Sequence, residues 1–349
     1  MYSREILPPR RTPIENGAPI QGTWTKAFDE VDLLGIQRPF PLPLPRWVRD
    51  LRIKEWESFF VQNDDFFLYA LLFNFKYCRV AQVILSDKKA KEQVRIRKFS
   101  PLSGWRMPRT LANASITSQH RGFSFQIHDW LDADSVRVDL NIAARPKHPA
   151  FTAHLTYDLN RKRSIPLVVN LPFSERQCLY AYKSMAAVRG DIVFGGSHIP
   201  LNPARTAGIF CDFKGYYPYR MRSVWCNGIG LDGENRHLGF SIAENQTKEP
   251  YKNNENAFWI NGALTPLPPV RITVPSGLGE DWVIQDMEGM VDLTFTPYDP
   301  NRSIFDCIAA RADYDAPLGY YNGMLVNSKG DKFPVRNLWG LGEKLYLRV

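Results

Sequence analysis

The sequence predicts an all-β protein: two tandem lipocalin-like antiparallel barrels, or strongly curved sheets, entered through an extended proline-rich arm. Three observations carry this. Aromatic residues make up 13% of the 349 residues, and 26 prolines with 23 glycines supply many turns. Apolar runs are short and separated by polar breaks, with no long amphipathic helical pattern, which is how sandwiches and barrels read. Where alternation is clean, its period is two: Val136, Val138, Leu140 and Ile142 fall on one face, with Arg137, Asp139 and Asn141 on the other.

Residues 1–45 form the arm. It ends in RPFPLPLPRW, and proline at every second residue blocks helix and sheet interior alike. Phe40, Leu42 and Leu44 are placed to lie against a barrel or to plug one end. Strands are expected from Trp47 onward. EWESFFVQ, DFFLYALLFNFKY and CRVAQVILSD follow one another with breaks at 63–65 and 87–89, as in a meander. VRIRKF, SITSQHRGFSFQIHDW, SVRVDLNIAAR, AFTAHLTYDL, PLVVNLPF, CLYAYKSMAAVRGDIVFG and RTAGIFCDF continue the pattern, with short helical turns allowed at KKAKEQ and YKSMAAVRG. After Gly215 the series restarts with RMRSVWCNGIG and HLGFSIAENQ and closes on EKLYLRV; GLDGEN and SKGDK supply hairpin turns. RDLRIKEWESFF and YRMRSVWCNGIG each set two basic residues before a tryptophan, as two related units would. The expected division is 46–207 and 208–349, with the boundary near 205.

The totals exclude several classes. A net charge of +8 is spread along the chain, with small clusters at 95–98 and 161–163, so no nucleic-acid stripe is expected. Five scattered cysteines lack CxxC or zinc spacing and read as small buried hydrophobes in a reducing compartment. The six histidines show no ligand-like pairs, so no metal is expected, and no nucleotide or hydrolase motif points to a cofactor. The first residues, MYSREILPPRRTPIENG, lack the apolar run of a signal peptide, and the run 66–75 is too short to span a bilayer. A soluble cytoplasmic protein is the expectation.

The stretch 208–267 is unusual. It sets Asp212, Arg220, Arg222, Trp225, Glu255 and Asn256 among aromatics in strand-and-turn sequence, where buried charge is costly unless paired. Pro218 excludes a central-ladder position, so the chain bends or crosses between sheets there. Tyr217, Tyr219 and Met221 are expected on one face, Arg220 and Arg222 on the other. Glu255 opens a strand in which Phe258 and Ile260 alternate with Ala257, Trp259 and Asn261; a carboxyl desolvated at such a mouth has a raised pKa unless a cation offsets it. Glu255 and Asp212 are the candidate proton donors, and Tyr217, Tyr219, Arg220, Arg222, Trp225, Asn256 and Trp259 the candidate ligand contacts. The plainer alternative is a polar seam that ties two halves together. Glu343 and Arg348, either side of Tyr346, read as closing residues able to pair with Arg222 or Glu57.

The ordered set KEWESFFVQ, YAYKSMAAVRGDIVFG, CDFKGYYPYRMRSVWCNG, GFSIAENQ…NENAFWINGALTPL and YYNGMLVNSKGDKFPVRNLWGLGEKLYLR resembles the DUF2804 family, a bacterial group without an assigned activity, over about residues 21–349. One departure is Trp225-Cys226-Asn227, where that pattern continues with tryptophan and alanine. The resemblance implies a double lipocalin-like barrel, similar to carotenoid hydratases, AttH-like proteins and tocopherol cyclase. Three functional readings follow. The leading one is binding of a small apolar ligand in or between the barrels. A cofactor-independent lyase or isomerase, with Glu255 or Asp212 donating a proton and Tyr219 and Arg220 orienting substrate, is the alternative. A structural protein without ligand is the third.

Overall fold

The computed structural model describes residues 2–89, 92–101, 105–146, 148–160, 162–277, 279–299, 301–306 and 311–348. Cys307, Ala90 and Lys91 of the KKAKEQ run, and Arg161 of the basic cluster lie outside these. The protein is nearly all β, with one nearly closed, barrel-like sheet and one half-barrel sheet. The first sheet runs from Glu92–Pro101 through Cys78–Asp87, Phe66–Asn74, Ile53–Gln62, Ala207–Tyr216, Cys178–Phe194, Phe151–Asp158, Ser135–Ile142 and Phe123–Trp130 to Ala114–His120. Every pairing along it is antiparallel. The second sheet is centred on Arg220–Leu231 paired with the long closing strand Lys332–Arg348.

Ala207–Tyr216 belongs wholly to the first sheet, between Ile53–Gln62 and Cys178–Phe194. The chain changes sheets at 217–219, around Pro218, one strand later than the expected 207/208 division. YKSMAAVRG lies inside the strand Cys178–Phe194 and makes no helical turn, because its two ladders satisfy the backbone on both sides.

The arm is more integrated than an extended linker. Gly22–Trp24 pairs with Leu167–Pro172, and Trp24, Phe28, Val31, Leu33 and Ile36 enter the core of the first sheet. These residues plug the barrel, whereas Leu42 is 70% exposed and Phe40 packs edge-on against Tyr216. Strands do not begin at Trp47: Arg46–Arg52 is a helix. Arg49 and Arg52 sit in its last turn, where cations favour the helix dipole, and Arg49 Nη1 donates to the Ile36 carbonyl at 2.8 Å, fixing helix to arm.

The strands that position the site are buried on both faces. In Ile53–Gln62, Ile53, Phe59 and Val61 point into the barrel with Glu55 and Glu57, while Trp56, Ser58 and Phe60 point toward the second sheet. The same split divides Phe210, Asp212 and Lys214 from Ile209, Cys211 and Phe213. The half-barrel closes over this layer. Its Gly228 lies directly opposite Gly340, and the Tyr321 ring covers the pair so closely that a Cβ at Gly340 would sit 2.6 Å from it.

Inside the first barrel, the register brings acids together. Glu57 stands opposite Asp212, which stands opposite Tyr182; two residues along, Glu55, Lys214 and Tyr180 share a rung. Asp129 approaches from Phe123–Trp130. All three carboxyls, Glu57, Asp129 and Asp212, are fully buried. Lys214 Nζ reaches Asp212 Oδ2 at 2.6 Å, and its ammonium lies 5.5 Å over the Tyr180 ring. Neither oxygen of Glu57 or of Asp129 has a hydrogen-bond partner among the described residues. Burial, reinforced by the neighbouring carboxyls, pushes the Glu57 and Asp129 pKa well up. Burial pulls Lys214 down, but Asp212 and Glu55 outweigh it and hold the ammonium charged.

This cluster gives folding stability a pH slope. The unfolded chain ionises these acids near about pH 4, whereas the fold keeps Glu57 and Asp129 protonated to higher pH. Between those limits the native state binds more protons, so their contribution is full below about pH 4 and is lost as pH rises through the folded pKa. Glu57→Gln should therefore flatten the decline of thermal stability between about pH 5 and about pH 8, and stabilise at the upper end by roughly 1–3 kcal/mol. Parallel slopes for variant and wild type in thermal melts would refute it.

Candidate functional site between the sheets

The outer face of the first barrel and the facing side of the half-barrel do not close completely. They leave a cavity of about 620 Å³. Trp56, Phe60, Leu71, Phe73 and Phe213 wall it from the first sheet, and Trp225, Ala312, Leu345 and Leu347 from the second. Period-two alternation produces this lining: Glu343, Leu345 and Leu347 point inward from one strand, and Trp56, Ser58 and Phe60 from another. Trp56 stacks on Phe73 at 4.9 Å and on Phe213 at 4.6 Å, and meets Trp225 edge-on at 6.2 Å. The two tryptophans of the faint sequence repeat thus face each other across the gap.

The cavity holds one lining carboxylate among the described residues, that of Glu343. Tyr69 OH, from the first sheet, donates to Glu343 Oε1 at 3.2 Å, and Tyr314 OH, from the second, donates to the same oxygen at 2.5 Å. Burial raises the Glu343 pKa; the two hydroxyls and the more distant Lys183 charge oppose it without reversing it. Tyr69 and Tyr314 are themselves pushed well up by burial and by Glu343, so both remain neutral donors. A second polar group lines the wall nearby. Arg97 Nε and Nη2 both bind Gln82 Oε1, at 2.8 and 2.5 Å, and Nη1 binds Ser303 Oγ at 2.7 Å.

The residues expected to form a site are dispersed. Asp212 points into the first barrel, on the far face of its strand from the cavity, and is paired with Lys214. Glu255 is fully buried behind the cavity wall. Lys183 Nζ lies 2.7 Å from its Oε2 as an ion pair off the hydrogen-bond direction; the directed bonds of that ammonium go to Ser241 Oγ and the Glu255 carbonyl, at 2.9 and 3.0 Å. Asn245 Nδ2 holds the other carboxylate oxygen at 2.7 Å. Asp212, Arg220 and Glu255 therefore do not converge. Arg220 and Arg222 are exposed, the latter over the Tyr346 ring at 5.6 Å. Tyr219 does not share a face with Tyr217 and Met221: it is 56% exposed in the inter-sheet link, while they are buried. Asn256 is a structural bracket, accepting from Ala243 N at 2.7 Å and donating to the Pro268 carbonyl at 3.0 Å. Trp259 Nε1 donates to the Ile165 carbonyl at 2.8 Å. Of the expected contacts, Trp225 alone lines the cavity.

Glu343 was expected to pair with Arg222, and the structure gives it tyrosines instead. Arg348 pairs with Asp306 at 3.7 Å. Tyr69, Tyr314, Arg97 and Gln82 were missed. One signal was present: Glu343 is the single charge in the inward stripe Glu343, Leu345, Leu347. Tyr69 carried none, lying in an unbroken apolar run. Among the described residues no group of acids, cysteines and histidines is arranged to hold a metal ion, and no helix is long and apolar enough to cross a membrane.

The fold and this cavity place the chain in a class of tandem, lipocalin-like β proteins with an aromatic space between two curved sheets. More specifically, it belongs to the DUF2804 family, described as a domain of unknown function, which it matches over residues 6–348. No curated protein matches. Similar solved structures include CghA with Sch210972, at 12% identity and a TM-score of 0.48, covering 85% of this chain and 88% of that one. An AttH-like protein from Nitrosomonas europaea matches at 14% and 0.48, covering 86% and 94%. Kievitone hydratase from Nectria haematococca matches at 12% and 0.46, covering 84% and 88%.

The site has a spectroscopic signature. With its pKa raised, Glu343 holds a proton near neutrality more than an exposed glutamate does. Infrared difference spectra of wild type against Glu343→Gln, followed downward from neutral pH, should show a protonated-carboxyl band that appears at higher pH than for an exposed glutamate. A band that appears only in the ordinary glutamate range would show that burial does not raise this carboxyl.

Proposed function

We propose that the protein binds a small, largely apolar molecule in the cavity between its two sheets. The single observation that carries this is the cavity itself, aromatic and aliphatic over most of its wall and furnished with few polar anchors, which is the pattern of small-molecule sites. Burying an apolar ligand there removes its surface and that of the wall from water, while Glu343, Tyr69 and Tyr314 offer hydrogen bonds that fix orientation. Ligand entry would also fill the space between two sheets that otherwise meet incompletely. The same geometry supports a division of the chain into two units at 217–219.

A second reading is favoured by Glu343: cofactor-independent lyase or isomerase chemistry on an apolar substrate. A carboxyl with a raised pKa, touching no cation among the described residues and facing an apolar space, is suited to general acid work. That role passes from Asp212 and Glu255, each held by a lysine, to Glu343.

Occupancy is tested by filling the cavity. N-phenylnaphthylamine, a neutral fluorescent probe, should brighten on binding wild-type protein. Ala312→Trp, which places a bulky ring in the cavity wall, should weaken that binding at least about tenfold, or roughly 1.4 kcal/mol, with the thermal midpoint little changed. Binding that is absent in the wild type, or equal in both proteins, would remove the cavity as a ligand site.

A further inference from the structure

The cavity has a polar corner whose donors outnumber its acceptors. Arg97 lines it from Glu92–Pro101, Gln82 from the neighbouring strand Cys78–Asp87, and Ser303 and Tyr314 from the facing sheet. Gln82 lies directly opposite Arg97 and Ser303 directly opposite Tyr314, so one rung from each sheet meets here. Among the described residues the hydrogen-bond partners of Arg97 are Gln82 and Ser303, both neutral, and it forms no ion pair with Glu343. A half-buried guanidinium with only neutral partners among the described residues leaves its charge to be met by something else.

Gln82 adds a second, independent sign. Its Oε1 accepts both Arg97 bonds, which fixes the amide orientation and turns Nε2 away. The residue is 3% exposed, and Nε2 has no hydrogen-bond partner among the described residues. A buried amide donor left this way is costly, on the order of 1–3 kcal/mol, and is relieved by an acceptor. At the same rim, Arg311 Nε is likewise inaccessible to solvent and has no partner among the described residues, while its Nη1 pairs with Asp306 at 3.4 Å. Guanidinium charge and amide donor thus ask for the same thing, an anionic oxygen, at the edge of an apolar space.

We propose that the natural occupant is an anionic amphiphile, with its apolar body between the sheets and an oxyanion head, such as a carboxylate, at Arg97 and Gln82. This rests on the cavity being a ligand site and narrows the ligand class within it. Glu343, where neutral, does not repel such a head and can donate to it, while an ionised Glu343 would oppose it. Charge-assisted bonds to guanidinium are the strong ones, so the preference for an anion over its neutral analogue is large enough to measure.

Displacement of N-phenylnaphthylamine by oleate and by oleyl alcohol, matched in chain and differing in head group, tests this at about pH 7 and low salt. Wild-type protein should bind oleate about ten- to a hundredfold more tightly. Arg97→Gln should erase most of that preference by weakening oleate alone, and Gln82→Leu should reduce it. Equal affinity for the two ligands in the wild type overturns the anionic assignment and leaves the apolar site standing. An unchanged preference in Arg97→Gln overturns the assignment to Arg97. Failure of both ligands to displace a probe that does bind refutes the amphiphile, whereas failure of the probe itself to bind refutes the site. Should Arg97→Gln not fold, the wild-type comparison still decides.

Discussion

A single layer of strands in this protein has to serve two cores. Ile53–Gln62, Phe66–Asn74, Cys178–Phe194 and Ala207–Tyr216 form part of the wall of the first barrel and, on their other face, pack against the half-barrel. Where such a strand lies between the two cores neither side reaches water, so both side-chain sets are buried there. Antiparallel strands usually show one wet face; these instead read as nearly continuous apolar runs. The arm follows from the same constraint. With its outer face already committed to the second sheet, the first barrel must be sealed from its open end, and Trp24, Phe28, Val31, Leu33 and Ile36 do so.

Polar groups on a two-core layer have no solvent to fall back on, and their fates differ by face. Neighbouring positions on the strand pair carry lysine and acid to opposite sides: Lys214 meets Asp212 inside the barrel, while Lys183 meets Glu255 across the sheet-to-sheet contact. Removing one partner of such a pair leaves the other charge buried and uncompensated, which costs more than the pair itself provides. The Lys183 contact also crosses from the first sheet to Ser241 of the second, so it joins the sheets as well as neutralising charge. For Glu255 the arrangement is therefore an ion pair joining the sheets, where the sequence offered a turn carboxylate as the plain alternative to a site.

Legibility followed the same physics. The all-β class, the short strands and the sheet change at Pro218 could be read because turns, aromatics and proline act locally. The helix Arg46–Arg52 was missed because it is short and has no apolar stripe, none of its residues being buried. The polar stretch 208–267 was read as a candidate site because charges stood out there, yet its two buried acids, Asp212 and Glu255, are each matched by a lysine in the fold. Which face each residue takes depends on register, and a one-residue shift exchanges the barrel interior for the cavity. Asp212 and Cys211 are adjacent in sequence and end on opposite sides of the layer. Tyr69 lies amid phenylalanines and leucines, and nothing local separates its hydroxyl from a packed ring.

The polar corner of the cavity shows what fixed strands can do that flexible loops cannot. Arg97 and Glu343 both act on Tyr314, one through its charge and one through a hydrogen bond, and yet they do not pair. Arg97 and Glu343 stand on different sheets and each is held by one partner from either sheet, Arg97 by Gln82 and Ser303 and Glu343 by Tyr314 and Tyr69. Burial favours the neutral form of the carboxyl, and among the described residues the cation has no internal anion. On the reading proposed above, a ligand lying between the two sheets would meet a neutral acid from one and a positive charge from the other.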